Sequence, residues 1–158
     1  MAFAANHSDL MFITRPAGAD VYGLLAAHNK KIKDEAASMG KTVRTIINPH
    51  VICADTEKEA KARRQAFIDH ADPVALDNFF KFITGGDTVS WKGAMRDDLA
   101  VGGNMQMVGT PEQVVEKMVK LNECGIDGIQ VNFYDYLPDL EYFGEKVLPL
   151  MKEAGLRN

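Results

Sequence analysis

The stretch Gln130-Val131-Asn132-Phe133-Tyr134-Asp135-Tyr136 carries the side chains best suited to chemistry. Side chains alternate along a strand, so Gln130, Asn132 and Tyr134 share one face and Val131 and Phe133 the other. Amides and a phenol in one row can hold a small polar ligand. A turn with surface tyrosines is the equal alternative from residue types alone. A second group is Trp91, Lys92 and Arg96, within six positions. A tryptophan beside two cations, in a stretch with glycines at 85, 86, 93, 102 and 103, suits a lid closing on an anion or a cofactor. A plain surface loop is the alternative there.

Other chemistries lack their motifs. The chain has no G-x-G-x-x-G, Walker loop, G-x-S-x-G or H-E-x-x-H. Gly102-Gly103-Asn104 is too short for a phosphate cradle. His7, His28, His50 and His70 are scattered and read as structural or incidental. His50 and Cys53 lie three apart on an expected strand, so they point to opposite faces and cannot share a metal. No metal site is expected.

At 158 residues with net charge −4, one domain with its own core is the prior. The run Lys30-Lys31-Ile32-Lys33 reads as a wet helix face, not a nucleic-acid patch. No apolar run approaches the roughly 18 residues of a membrane span, and no secretory leader is evident. Two cysteines, Cys53 and Cys124, suit a reducing cytoplasm.

Strands alternate with helices in the pattern. Leu10 to Ile13 reads as a short buried strand. A helix follows from about Val21 to Met39, with Gly40 as its stop. Val43 to Cys53 reads as a strand, with Pro49 marking an edge or a bulge. Thr56 and Glu59 form a capping box opening a helix to about His70. Asp72-Pro73 begins another helix, with Leu76, Phe79, Phe80 and Ile83 on one face. Thr84 to Gly109 keeps no period and reads as a long mobile loop. Thr110-Pro111-Glu112-Gln113 opens a helix that Gly125 ends. Gly128 to Phe133 is the third strand. Asp139 to Ala154 is the last helix, bent by Pro149. The pattern predicts an α/β fold with a parallel sheet. Three strands are fewer than the five or so of an open doubly wound domain.

Three stretches carry a resemblance: Ala4-Ala5-Asn6-His7-Ser8-Asp9-Leu10-Met11-Phe12-Ile13, Val108-Gly109-Thr110-Pro111-Glu112-Gln113-Val114, and Phe143-Gly144-Glu145-Lys146-Val147-Leu148-Pro149-Leu150-Met151. With Ile47 to Cys53 and Gly125 to Gln130 in order between them, the chain resembles the C-terminal part of the bacterial-luciferase-like, flavin-dependent monooxygenases. Within that superfamily it is most similar to the dimethyl-sulfone monooxygenases. Alkanesulfonate and pyrimidine oxygenases are more distant.

The resemblance implies a partial TIM (β/α)8 barrel, residues 1–158 being the last three βα units. It also implies a two-component enzyme that uses reduced FMN and O2. A separate NAD(P)H-dependent FMN reductase would supply the flavin, and the enzyme is expected as a homo-oligomer in the cytoplasm. The family's FMN-phosphate loop, G-x-S-x-x-G, would lie upstream of Met1, so the isolated chain is expected to be inactive. Tyr134 matches a tyrosine lining the active site of sulfonate-oxidising relatives. Their loop arginine has no counterpart at Ala100-Val101-Gly102-Gly103, which favours an uncharged substrate unless Arg96 substitutes. Half a barrel would also expose apolar side chains such as Met11, Ile13 and Ile47. The competing class is a non-catalytic α/β interaction module with open sheet edges.

Overall fold

The computed structural model describes residues 2–14, 20–84 and 94–157. Helix α1 (Ala2–His7) leads into strand β1 (Leu10–Phe12), then helix α2 (Val21–Ser38) and strands β2 (Arg44–Ile47) and β3 (His50–Cys53). Helices α3 (Glu57–Asp69), α4 (Pro73–Thr84) and α5 (Ala94–Ala100) follow, then strand β4 (Gln106–Gly109) and helix α6 (Pro111–Glu123). Strand β5 (Gly128–Ile129), helix α7 (Tyr136–Tyr142), a π turn (Phe143–Val147) and helix α8 (Leu148–Glu153) complete the chain. Among the described residues every strand pair is parallel, β1-β2-β5 in one ladder and β3-β4 in another. The α/β class read from the sequence holds.

Caps set the helix starts. Thr56 Oγ1 accepts from the Glu59 N–H while Glu59 returns a carboxylate to the Thr56 N–H. Thr110 and Gln113 repeat the arrangement ahead of Pro111 at the start of α6. Each cap satisfies N–H groups that have no partner inside the helix. The last helix starts at Tyr136, three residues before the expected Asp139. Its expected bend takes the form of the π turn just ahead of Pro149. Proline has no N–H to donate to the carbonyl four residues back, so the helical register widens there.

The expected strand Val43 to Cys53 is split at Asn48-Pro49, yet it neither bulges nor lies at an edge. Arg44 N–H donates to Asp9, Ile46 O accepts from Ile13, and His50 N–H donates to Met105, all on one side. On the other side, Thr45 O accepts from Asp127, Ile47 O from Gln130 and Pro49 O from Asn132, while Val51 N–H donates to Asn132. Alternation is therefore unbroken through the proline. What Pro49 removes is the donor that Gln130 O would have received. The ladder to β5 accordingly stops at Ile129 and resumes as one bridge, His50 to Asn132.

The stretch from Thr84 to Gly109 is corrected in part. It holds α5 and β4, and β4 pairs along all of β3. Residues 85–93 lie outside the described residues.

The core lies on one sheet face. Ile13, Ile47, Val51 and Met107 pack there against Leu25 and Ile32 of α2, Val114 and Leu121 of α6, and Val147 of the π turn. Register shows that Leu10, Phe12, Arg44, Ile46, His50 and Gln106 share the opposite face. The expectation that Met11, Ile13 and Ile47 would stand exposed is therefore overturned: Ile13 and Ile47 are buried, and Met11 is half-buried against the core. In β1 it is Leu10 and Phe12 that are exposed, at 43% and 58%.

Candidate functional site

Parity places one polar group at the C-terminal ends of the strands, away from the helix-packed core. Gly128 pairs with Ile46, so Gln130, Asn132 and Tyr134 continue on the face that carries Ile46 and His50. Val131 and Phe133 turn to the core. The predicted row of Gln130, Asn132 and Tyr134 thus lies on one face. Gln130 is exposed, while Asn132 is half-buried and reaches Asn48 O from Nδ2 at 3.4 Å.

Tyr134 gathers a cluster. Its ring stacks on His50 at 4.9 Å between centroids and on Phe67 of α3 at 4.0 Å. Residues Gly102 and Gly103 follow α5 with φ of +86° and +71°. At Gly102 a Cβ would stand 2.6 Å from His50 Cε1, 3.1 Å from His50 Nδ1 and 3.3 Å from the Tyr134 hydroxyl oxygen. Only glycine lets the backbone lie that close with that φ. The site therefore has a floor from β3 and the segment that follows β5, a wall from α3, and a glycine turn over it.

Electrostatics keep the cluster neutral. Burial pulls the His50 imidazole below its ordinary 6.5. Burial also pushes the Tyr134 phenol up to about 12, against a smaller opposing pull from Arg64. Arg64 is itself engaged: Nε donates to Gln106 Oε1 at 2.6 Å and a terminal nitrogen to Asp98 at 3.1 Å. At neutral pH the pair is an uncharged imidazole beside an uncharged phenol. Among the described residues, neither His50 Nδ1 nor the Tyr134 hydroxyl finds a hydrogen-bond partner, though both atoms are buried.

Of the three lid candidates, Arg96 lies in α5. Arg96 donates to Asp77 of α4 at 2.6 Å, an ion pair open to solvent. Trp91 and Lys92 lie outside the described residues. His50 was missed by sequence reasoning. Its only signal was strand parity with Asn48 and Ile52, and nothing in the sequence places β3 beside the end of β5. Cys53 does face away from His50, as alternation required, and burial raises its thiol to about 11. Among the described residues no group of histidine, cysteine and carboxylate could hold a metal.

Comparison with known proteins supplies a context for this geometry. A family model described as luciferase-like monooxygenase matches residues 1–128. An FMNH2-dependent dimethylsulfone monooxygenase of Pseudomonas fluorescens (strain Pf0-1) is 34% identical over 95% of this chain and 43% of its own length. The pyrimidine monooxygenase RutA of Acinetobacter baylyi is 32% identical over 96% of this chain and 42% of its own. Among solved structures, a riboflavin lyase (RcaE) with modified FMN and riboflavin superposes with a TM-score of 0.82 at 21% identity. That superposition covers 99% of this chain and 41% of the lyase, and it shows a shared fold. The chain spans less than half the length of the relatives it matches.

Proposed function

The chain belongs to the luciferase-like monooxygenase family, and on that premise we propose that it forms the last three βα units of a (β/α)8 barrel oxygenating dimethyl sulfone or a related small organosulfur compound. The observation that carries this reading is the 34% identity to a dimethylsulfone monooxygenase across 95% of the chain. The polar row ending at Tyr134 supports it, because parallel barrels gather ligands at the C-terminal ends of their strands.

Reduced FMN would supply the two electrons and activate O2; a separate NAD(P)H-dependent reductase would deliver it in the cytoplasm. One oxygen atom enters a methyl group, the C–S bond breaks, and methanesulfinate and formaldehyde leave. The second oxygen leaves as water. The described residues fit this cofactor in part. His50 Nδ1 and the Tyr134 hydroxyl, without a partner among the described residues, are able to meet polar ring or substrate atoms. Arg64, whose charge acts on Tyr134, is committed to Gln106 and Asp98, so among the described residues it offers no free charge to a phosphate. Orientation and exclusion of water are what this chain's residues contribute.

The 32% identity to a pyrimidine monooxygenase supports a second substrate class, an uncharged pyrimidine. The first check is the nucleotide sequence upstream of Met1, where five further βα units and G-x-S-x-x-G are expected in frame. The second is formaldehyde release from dimethyl sulfone by the complete barrel with FMN, NADH and a flavin reductase. Release of formaldehyde and methanesulfinate in equal amounts is expected. No release from the sulfone, with turnover of uracil instead, transfers the assignment to the pyrimidine class.

A further inference from the structure

Tyr134 stands on a short span with one support on each side. Upstream, Asn132 is held by the sheet: its N–H donates to Pro49 O and its carbonyl accepts from the Val51 N–H, both at 2.9 Å. Downstream, α7 begins at Tyr136 behind Asp135. Among the described residues the Tyr134 hydroxyl finds no partner, so none of them orients the ring at its tip. Its direction comes from the rings on its faces and from the backbone at its base.

Asp135 occupies the N-cap of α7 yet makes no side-chain cap bond. Pro138, third in the helix, has no N–H to offer it. The bond runs the other way: Asp139 Oδ2 accepts from the Asp135 N–H at 3.4 Å. Asp139 Oδ1 accepts from Arg63 of α3 at 2.5 Å. The other terminal nitrogen of Arg63 donates at 2.9 Å to Cys53 O, at the end of β3. The Asp139 side chain is 10% exposed, and a carboxylate so covered needs a charged partner. The planar fork of an arginine reaches two acceptors at once. Arg63 and Phe67 lie four apart on α3 and so share a face, and Phe67 stacks on Tyr134. One face of α3 therefore grips this span twice, a turn apart: directly on the Tyr134 ring, and through Asp139 on the Asp135 amide.

We infer that Arg63 is a positioning residue: through Asp139 it fixes the Asp135 amide, and with it the backbone from which Tyr134 projects toward the site. Its two terminal nitrogens are spent on Cys53 O and Asp139, so it acts through Tyr134 and not on a substrate. This rests on the oxygenase reading above, in which Tyr134 faces the substrate. Misplacing a contact by about 1 Å can cost on the order of 100-fold in rate. The loss expected here is smaller, because the Phe67 stack and the Asn132 ladder bonds remain.

The test uses the complete barrel, with Tyr134 labelled as fluorotyrosine and read by fluorine NMR, beside kinetics on dimethyl sulfone and uracil with FMN, NADH and a flavin reductase. Arg63→Met keeps the stem and removes the fork. It should move or broaden the Tyr134 resonance and lower kcat/KM about 5- to 10-fold on whichever substrate is turned over. In a Tyr134→Phe background the same change should cost less than about twofold, because the hydroxyl that Arg63 places is already gone. Arg63→Lys should recover part of the loss. Asp139→Asn keeps an acceptor for the Asp135 N–H and gives up the ion pair. It should disturb the resonance less than Arg63→Met does, and it carries the comparison if Arg63→Met fails to fold. A lowered thermal midpoint with the Tyr134 resonance unmoved, or losses that multiply in full in the double variant, would make Arg63 a stabilising contact only and overturn the inference. No turnover of either substrate by the unsubstituted barrel would count against the oxygenase reading instead, and the resonance would then decide the positioning by itself.

Discussion

At the residue scale, His50 and Tyr134 show what a single position can reveal before folding. Tyr134 was legible because parity alone puts it in line with Gln130 and Asn132. His50 was not, since a lone histidine on a strand gives no sign of the ring that will stack on it 84 positions later. Its burial has a measurable consequence. The folded imidazole has a pKa below 6.5, the unfolded one close to it. Between those two values the unfolded chain binds more protons than the folded one, so stability rises with pH there. The contribution is complete above about pH 6.5 and is lost as pH falls through the folded value. Among the described residues, the groups facing His50 include the neutral Tyr134, the backbone of Gly102 and, across the β3–β4 register, the uncharged Gln106. Thermal midpoints from pH 8 to pH 5 should therefore fall more steeply for the wild type than for His50→Gln, with the curves parallel above pH 7. Parallel curves over the whole range would show that His50 has the same pKa folded and unfolded.

At the element scale, what was legible is what the chain encodes locally. The capping boxes at Thr56 and Thr110 name their own partners within three residues, and both helices start where they should. Helix α5 and strand β4 escaped because each is short and is fixed by distant groups. Arg64 of α3 and Arg96 bind α5 into place through Asp98 and Asp77, and β4 exists only beside β3. Also invisible was the polar tie beneath the sheet. Thr45, fully buried, donates from Oγ1 to Asn29 Oδ1 at 2.7 Å, and Asn29, 2% exposed, donates to Cys124 O at 3.0 Å. Asp127 accepts from the Thr45 N–H at 2.8 Å and from Lys33 at 2.9 Å. Burial alone would raise the Asp127 carboxyl; Lys33 and the Thr45 N–H together hold it low. The lysine-rich run of α2, read as a wet face, thus contains a buried Ile32 and an anchoring Lys33. Thr45→Val keeps the shape and removes the donor, leaving Asn29 Oδ1 buried without it. A loss of about 1–3 kcal/mol in urea unfolding is expected. A loss under about 0.5 kcal/mol would place the tie among ordinary surface contacts.

At the scale of the whole molecule, the two sheet faces set different conditions. One is sealed by α2, α6 and the C-terminal helices around a continuous core. The other changes character along the strands: polar and half-covered at the His50–Tyr134 end, apolar and open at the Leu10–Phe12 end. Strands β1 and β5 are the edges of their ladder, and an edge strand carries backbone groups ready to pair with another chain. In the proposed barrel the remaining βα units cover both the edges and the apolar end. In the 158-residue chain taken alone, the same surface drives association, because burying Leu10 and Phe12 against a second surface removes apolar area from water. Purified alone, the chain should run as an oligomer or aggregate in size-exclusion chromatography. The pair Leu10→Lys and Phe12→Lys sits on exposed positions and puts charges on the edge. It should shift the chain toward monomer with little change in its unfolding midpoint. An unchanged elution profile would move the association surface elsewhere, to the exposed Val74, Phe79 and Phe82 of α4, and the matching pair Phe79→Lys and Phe82→Lys would then be the one to dissolve it.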